Sequence, residues 1–401
     1  MTRAVRLIRE FVVLSHIFEI SIMSFIVITA IGIFDMIIPL YVEGFAEKVA
    51  LIGLIVAMPY IASIIAEIPT GIMVDKYGRK RVLLIALFVF GLVGILYYLF
   101  ANSIAILALL GMLFGVTSVA FWIGSAVLVR DYSPKEMLGE SEGVYLSISS
   151  IGWIIGPMIG GIIAFYFSDQ FNFLIIAALL FASFAYSFIV LVEAKIKKKR
   201  TYMRIKALKL FREFYEMHEH ALPLYLLSLF LNVWIGVEWT YTQLSLQNVF
   251  GINELIIGGV LAGMMLSETL LYFPAGYIMD KIGKRYIILA GFLLLFGASY
   301  YAFLSQTAAL FVFMLFLAAG AIGWVFPGTE ALLTEITPAH KRGEMTGIFD
   351  TSKDIGLVVG MLFGGVLADT TFNLMTPFLL VTVVAVLGVI FGLKLWTGAI
   401  K

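Results

Sequence analysis

The stretch PTGIMVDKYGRKR at residues 69–81 decides the fold, because a second version of it, PAGYIMDKIGKRY, stands at residues 274–286. Both copies follow a long apolar run and keep proline, glycine, aspartate, lysine and a second glycine in register. They lie about 204 residues apart, which is half of the 401-residue chain. The sequence therefore predicts two similar halves, each with an apolar helix that ends in a basic loop.

A second set of residues repeats at nearly the same interval further along each half. In the first half the set is Ser133-Pro134, Gly139-Glu140, Gly143, Gly152, Gly156 and Gly160-Gly161; in the second it is Thr337-Pro338, Gly343-Glu344, Gly347, Gly356, Gly360 and Gly364-Gly365. Two similar bundles that rock against each other can expose a central site alternately to the two sides of a membrane. The repeat thus points to a transporter.

The composition places the chain in a membrane. Apolar residues make up 62% and charged residues 13% of the sequence, whereas soluble domains average about 45–50% and 25%. Uncharged runs such as 82–100 and 374–393 have the length of about 20 residues that a spanning helix needs. The cations Arg3, Arg6 and Arg9 precede a long apolar run without a cleavage site, which predicts a retained first helix rather than a signal peptide.

Apolar runs between polar breaks predict twelve spanning helices, and so an all-α membrane protein of two pseudo-symmetric six-helix bundles. They are expected near residues 11–41, 49–74, 82–101, 104–129, 140–167, 172–193, 221–247, 254–279, 286–304, 307–333, 344–368 and 373–395. The polar stretch 194–219 is predicted to be a cytoplasmic linker loop between an N-terminal bundle, 1–193, and a C-terminal bundle, 220–401.

The distribution of cations predicts the orientation. Every second break is rich in lysine and arginine, including 76–81, 195–212 and 281–285, whereas Lys48 is the one cation in the alternate breaks. Positive charge is retained on the cytoplasmic side during insertion. Both termini are therefore expected in the cytoplasm of a multi-pass protein of the cell (inner) membrane.

The repeated loop at 71–81, the twelve helices and the long middle loop together resemble the major facilitator superfamily. The resemblance implies a cytoplasmic gate made by Asp75, Arg79 and Arg130, with Asp280 and Arg285 in the second copy. Asp75 would pair with Arg130 and face the start of the eleventh helix near Gly343. Loop anchoring and topology are the alternative role of these charges. The motif glycine is expected to let helix backbones approach closely.

Residues 152–161 on the fifth helix, GWIIGPMIGG, resemble the antiporter motif of the same family. The motif residues are Gly152, Gly156, Pro157, Gly160 and Gly161. The resemblance implies exchange of a substrate against protons. Close helix packing explains the same glycine spacing, and both interpretations stay open, since the eleventh helix keeps the glycines without the proline.

Ionisable residues inside predicted helices are candidates for function, because a charge within a bilayer is costly and needs a cavity or a partner. Asp35, four residues before Pro39, resembles an acid of multidrug exporters, although Val27 and Gly111 stand where some exporters carry a further acid and an arginine. The predicted proton and substrate cavity comprises Asp35, Glu238, Glu268, Asp354, Lys353, Trp122, Asn232 and Trp234. An internal ion pair that fixes the eleventh helix is the alternative for Lys353.

Three functions follow from these residues. The first is a proton-coupled exporter of amphipathic or cationic molecules, for which aromatic rings would offer cation–π contacts. The second is a proton-coupled importer of a sugar, organic acid or peptide, which Lys353 would suit if the substrate is anionic. The third is a non-transporting sensor or lipid-handling protein on the same fold.

The sequence contains none of the common catalytic motifs that we considered. The chain has no cysteine, no GxxxxGK[ST] phosphate loop and no HExxH zinc pair. We therefore predict a protein that is not an enzyme and has no cofactor, no metal and no nucleic-acid partner. Its expected partners are a small-molecule substrate, protons as coupling ion and the lipid bilayer, and it is expected to act as a monomer.

Overall fold

The computed structural model describes residues 3–134, 137–193, 221–337 and 342–394. The predicted linker at 194–219 lies outside these residues. The described chain forms twelve helices: α1 (Arg3–Glu43), α2 (Val49–Tyr77), α3 (Arg79–Phe100), α4 (Ile104–Tyr132), α5 (Leu138–Tyr166), α6 (Phe171–Val190), α7 (Leu222–Asn248), α8 (Glu254–Ile282), α9 (Lys284–Phe303), α10 (Ala308–Ile336), α11 (Arg342–Thr371) and α12 (Thr376–Lys394).

All twelve helices contain a segment long and apolar enough to cross a membrane, over the part of the chain that the structure describes. The shortest such segment has 18 residues, which corresponds to about 27 Å of helix. The prediction of an all-α membrane protein with twelve spanning helices is confirmed.

The helix ends differ from the predicted ones at the two repeated loops. The break between α2 and α3 is the single residue Gly78, with φ of 98°, and Gly283 with φ of 100° separates α8 from α9. Residues with a Cβ rarely adopt this region, so glycine allows two helices to follow each other without a longer loop. The breaks between helices that were predicted from hydropathy are wider, because the residues on either side of each glycine are charged.

One compact unit comprises Met1–Glu47, Met58–Ile196 and Ile252–Ala262. In it, α5 lies directly on α1: a Cβ added to Gly156 would come within 2.7 Å of the carbonyl oxygen of Thr29. Aromatic rings fill the space between the other helices. Phe34 of α1 stacks on Phe114 of α4 at a centroid distance of 3.8 Å.

The other compact unit comprises Lys48–Ala57, Lys197–Gly251 and Gly263–Lys401. Here α11 lies on α7 as α5 lies on α1. A Cβ on Gly356 or Gly360 would come within 2.2 Å of the carbonyl oxygens of Leu229 and Val233, respectively. The two helix pairs therefore pack with the same repeated glycines.

The units differ from the two sequence halves in two short segments, each at the start of a helix. The start of α2 belongs to the second unit, where both carboxylate oxygens of Asp369 accept hydrogen bonds, from the backbone N–H groups of Val49 and Ala50, each at 2.9 Å. The start of α8 belongs to the first unit, where a Cβ on Gly161 would come within 2.4 Å of the carbonyl oxygen of Glu254. Each of these helices thus begins in one unit and ends in the other.

Candidate functional site

Asp35 is a partly buried carboxylate of the first unit. It lies on α1, and the hydroxyl of Tyr60 on α2 donates a hydrogen bond to its Oδ1 at 3.2 Å. The hydroxyl can donate to a charged carboxylate and also to the carbonyl oxygen of a protonated one, since the other oxygen is able to carry the proton. The arrangement therefore suits a group that gains and loses a proton.

Glu238 is the most buried acid of the candidate set, with 1% of its surface exposed on α7. Neither carboxylate oxygen forms a hydrogen bond with a described residue. Trp234, one turn earlier on the same helix, is close enough to interact with it, and Glu268 on α8 is the nearby charge. A buried carboxylate without a cation is costly in its charged form. Glu238 is therefore suited to hold a proton or to receive a cationic group.

Glu268 forms the second acidic position of this cluster. Its Oε1 accepts a hydrogen bond from the hydroxyl of Tyr272, one turn later on α8. Asp35 and Glu268 thus each have a tyrosine hydroxyl as a partner, although the two tyrosines are not at repeat-related positions. The structure brings together Glu238, Glu268 and Trp234 in the second unit.

Lys353 is held in a cluster of its own on α11. Its amine donates to Asp350 at 3.0 Å and to Glu330 of α10, and it lies 4.7 Å from the ring centre of Phe349. The amine is therefore occupied by two carboxylates. This geometry corresponds to the internal ion pair rather than to an open site for an anionic substrate.

The remaining predicted cavity residues are Asn232, Trp122 and Asp354. The Asn232 side chain is buried and donates to the carbonyl oxygen of Ser228 at 2.9 Å. Trp122 is exposed over 36% of its surface and packs beside its neighbour Phe121. Asp354 is partly buried on α11.

At the first repeated loop, Arg79 joins α2, α3 and α4. Its side chain is only 4% exposed, and its Nε donates to Asp131 at the end of α4 at 2.7 Å. An Nη atom lies 4.0 Å from Asp75 on α2. The backbone N–H groups of Arg79 and Lys80 donate to the Glu193 carboxylate at 2.8 and 3.1 Å. The predicted loop motif is therefore a network of charges around one buried guanidinium.

The pairing of Asp75 with Arg130 stays a prediction, and the described contacts add Arg79 as a neighbour of Asp75. A cation beside Asp75 is Arg79, one turn further along the chain. Arg130 is exposed and pairs with Glu142 at 3.4 Å among the described residues. Arg130 is one residue before Asp131, so its side chain leaves α4 in another direction. The side chains near Gly343, which Asp75 was expected to face, lie outside the described residues.

The first glycine of each loop copy, Gly71 or Gly276, was expected to allow close approach of helix backbones, and the structure does not show this. A Cβ on Gly71 or Gly276 would meet no atom within 4 Å, so neither position shows a close helix contact. Gly78 and Gly283, at the helix junctions, are the glycines that the backbone requires. In the second copy Asp280 is exposed. Among the described residues it is Lys284, and not Arg285, that forms an ion pair, with Glu335 at 2.7 Å.

The glycines of the antiporter-like motif on α5 all lie at close contacts. Gly152 and Gly156 face the α1 backbone, Gly160 lies against Met36, and Gly161 meets the start of α8 near Gly258. The carbonyl of Pro157 would be 2.4 Å from a Cβ on Gly258. Close packing therefore accounts for each of these glycines.

The family model of the Major Facilitator Superfamily matches residues 20–265 and 239–398, which cover nearly the whole chain. The chain belongs to the Major Facilitator Superfamily. This confirms the resemblance seen in the repeated loop, and family members carry small molecules across membranes rather than acting as enzymes in general.

Several superfamily proteins resemble this chain along most of its length. An uncharacterized MFS-type transporter of Methanocaldococcus jannaschii is 26% identical over 88% of this chain and 91% of its own length. The class B tetracycline resistance protein of Escherichia coli is 27% identical over 79% and 78%. The multidrug resistance protein MdtG of Salmonella choleraesuis is 26% identical over 82% and 83%.

Solved superfamily structures share the fold. A mutant form of the nucleoside transporter NupG superimposes with a TM-score of 0.80 over 95% of this chain and 100% of its own, at 13% identity. A D-xylose-proton symporter superimposes with a TM-score of 0.77 over 95% and 98%, at 15% identity.

The sequence did not indicate several side chains that contact the predicted site residues. Tyr60 and Tyr272 are aromatic residues among many, and no local pattern distinguishes them. Glu193 accepts from the start of α3, and Asp369 accepts from the start of α2. Only the fold brings each of these acids to its helix start. Asp131 is different, because Glu335 stands at the matching place of the second repeat. The repeat register could have identified this acidic pair.

Proposed function

We propose that this chain is a proton-coupled exporter of amphipathic or cationic small molecules that works by alternating access. The observation that carries the proposal is Glu238, a carboxylate buried in a spanning helix with no hydrogen bond to a described residue. Such a group binds a proton or a cation in preference to remaining charged and alone. Competition of both for one carboxylate would couple their movements in opposite directions.

Two further observations support the exporter. Asp35 with Tyr60 gives the first unit a second carboxylate that is able to titrate. Relatives over most of the chain are named as a tetracycline resistance protein and as multidrug resistance proteins. We further propose that the protein acts as a monomer in the cell (inner) membrane, with both termini cytoplasmic and with the domain boundaries 1–193, 194–219 and 220–401.

The loop network is proposed to act as the cytoplasmic gate. Asp75, Arg79 and Asp131 connect the ends of three helices, so a movement of one helix changes the partners of the others. Asp75→Asn is expected to slow transport while the protein still inserts into the membrane. A wild-type transport rate in that variant would remove the gate from the proposal.

An importer of a sugar, organic acid or peptide is the second candidate. Its support is the fold shared with a nucleoside transporter and a D-xylose-proton symporter. The occupied amine of Lys353 disfavours an anionic substrate. A non-transporting sensor is the third candidate and predicts no flux in sealed vesicles.

The test is proton movement in proteoliposomes under an imposed pH gradient, with a panel of lipophilic cations, sugars and organic acids. Proton flux opposite to a cation supports the exporter, whereas flux in the same direction as a sugar or acid supports the importer. Glu238→Gln and Asp35→Asn are expected to abolish the coupling. Glu47→Gln, an exposed acid between α1 and α2, is the control. Normal coupling in both test variants would overturn the assignment of the proton sites.

A further inference from the structure

The clearest unused feature of the first unit is Arg81, near the start of α3. Its neighbours Arg79 and Lys80 are both engaged: Arg79 pairs with Asp131, and the Lys80 amine donates to the carbonyl oxygens of Phe188 and Leu191 at the end of α6. Arg81 is exposed, and it forms no ion pair or hydrogen bond with any residue in the described ranges. Within the described part of the chain, the guanidinium of Arg81 is therefore unpaired and exposed.

Arg81 lines two separate apolar grooves. The first, of about 620 Å³, lies between α3 and α6 and is lined by Leu84, Phe88, Phe184 and Phe188. The second, of about 520 Å³, lies between α2, α3 and α4 and is lined by Met73, Val82, Val89 and Val116. Ile85, which is 58% exposed, is the other residue common to both grooves.

The helical period explains how one arginine reaches both grooves. Arg81 and Ile85 are four residues apart and form a ridge along α3. Leu84 and Phe88 lie on one side of this ridge, and Val82, Ala86 and Val89 lie on the other. From Arg81 to Phe88 the helix rises about 10 Å. The grooves therefore run from a free positive charge into the apolar part of the unit, on both sides of one helix.

We propose that Arg81 and the two grooves bind one anionic phospholipid, with the phosphate on Arg81 and one acyl chain in each groove. Arginine binds phosphate through two parallel N–H···O bonds. Glu193 also lines the first groove, and the backbone N–H groups that begin α3 donate to both of its oxygens, which offsets part of its negative charge. Lys80 adds a second positive charge at the first groove.

The second repeat provides an internal comparison. The position that matches Arg81 is Tyr286, so the corresponding end of α9 lacks this cation. The inference is therefore specific to the first unit. It does not depend on the substrate or on the direction of transport.

The test is native mass spectrometry of the full chain in detergent, with phosphatidylglycerol or phosphatidylcholine of identical acyl chains. Wild-type protein is expected to retain one phosphatidylglycerol in preference to phosphatidylcholine. Arg81→Gln should lower that retention about fivefold, the effect of one basic side chain near an anionic leaflet. Arg285→Gln, which removes the same charge near the start of α9, is the control and should leave retention unchanged.

A second variant tests the grooves without changing the charge. Ile85→Trp adds bulk to the exposed ridge and should narrow both grooves, so retention should fall while Arg81 is intact. Equal retention in wild type, Arg81→Gln and Ile85→Trp would overturn the proposal. Displacement of the lipid by tetraphenylphosphonium at equimolar concentration would also overturn it, because the grooves would then be a route for a lipophilic cation.

Discussion

At the junction of α2 and α3, the Arg79 side chain is 4% exposed, whereas its counterpart Lys284, at the junction of α8 and α9, is 29% exposed. Each cation pairs at 2.7 Å with the matching acid, Asp131 or Glu335. Arg79 also has Asp75 beside it, and its backbone is held by Glu193. The same repeated motif thus forms a buried network in one place and a surface pair in the other. Sequence similarity alone does not reveal how much energy a repeated contact carries.

The helix starts of α2 and α8 show a second contrast. No acid stands in the first turn of α2, and Asp369 supplies the missing negative charge from α11. The first turn of α8 carries its own acid, Glu254, and the nearby acid in the first unit is Asp169. One helix start therefore attracts a carboxylate, while the other places two carboxylates near each other.

The largest effect is expected for Arg79→Gln. Removing one partner of a buried ion pair costs about 3–5 kcal/mol, and the partial exposure of Asp131 places the expected loss near the lower value. For a unit of this size, the midpoint of thermal unfolding in detergent should fall by roughly 6–12 °C. Arg130→Gln is the control, because that arginine is exposed and pairs only with Glu142 in the described chain. Equal midpoints for the two variants would show that burial does not decide the energy.

The next largest effect is expected for Asp369→Asn. The amide keeps one acceptor but places a donor against the second backbone N–H, so a charged hydrogen bond worth about 1.5–3 kcal/mol is lost. Hydrogen exchange should become faster in a peptide that covers residues 48–57, and the unfolding midpoint should fall. Thr370→Ala changes an exposed neighbour and serves as the control. Unchanged exchange at the start of α2 would mean that α11 does not hold it.

A smaller, pH-dependent effect is expected for Asp169→Asn. Partial burial raises the pKa of Asp169 to about 6, and the charge of Glu254 adds to the shift. The folded protein therefore binds a proton that the unfolded chain releases, so stability should rise as the pH falls from 7 to about 4.5. The variant should lose this part of the pH dependence, which unfolding midpoints across that range measure. Glu47→Gln should keep it, and an identical profile for Asp169→Asn and wild type would contradict the assignment.

The sequence was sufficient for the features that depend on composition and register. The twelve helices, the repeat and the superfamily followed from apolar runs and from the two loop copies. The partners of Arg79 did not, because Asp75, Asp131 and Glu193 come from three different parts of the chain and only packing brings them together. The same reason applies to Arg130 and Asp131: adjacent helix positions differ by about 100° in direction, and hydropathy does not tell which one faces Arg79.

The smallest effect is expected for Lys284→Gln, and it completes the comparison of the two loop copies. Lys284 is partly exposed, at 29%, and Glu335 is exposed, at 61%, so water screens the attraction and the free energy of unfolding should change by about 0–1 kcal/mol. The unfolding midpoint should shift by no more than roughly 4 °C. The double variant Arg79→Gln with Lys284→Gln should then equal the sum of the single variants, because the pairs share no residue. A loss for Lys284→Gln as large as that for Arg79→Gln would mean that the second copy is as structural as the first, and burial would no longer distinguish the two repeats.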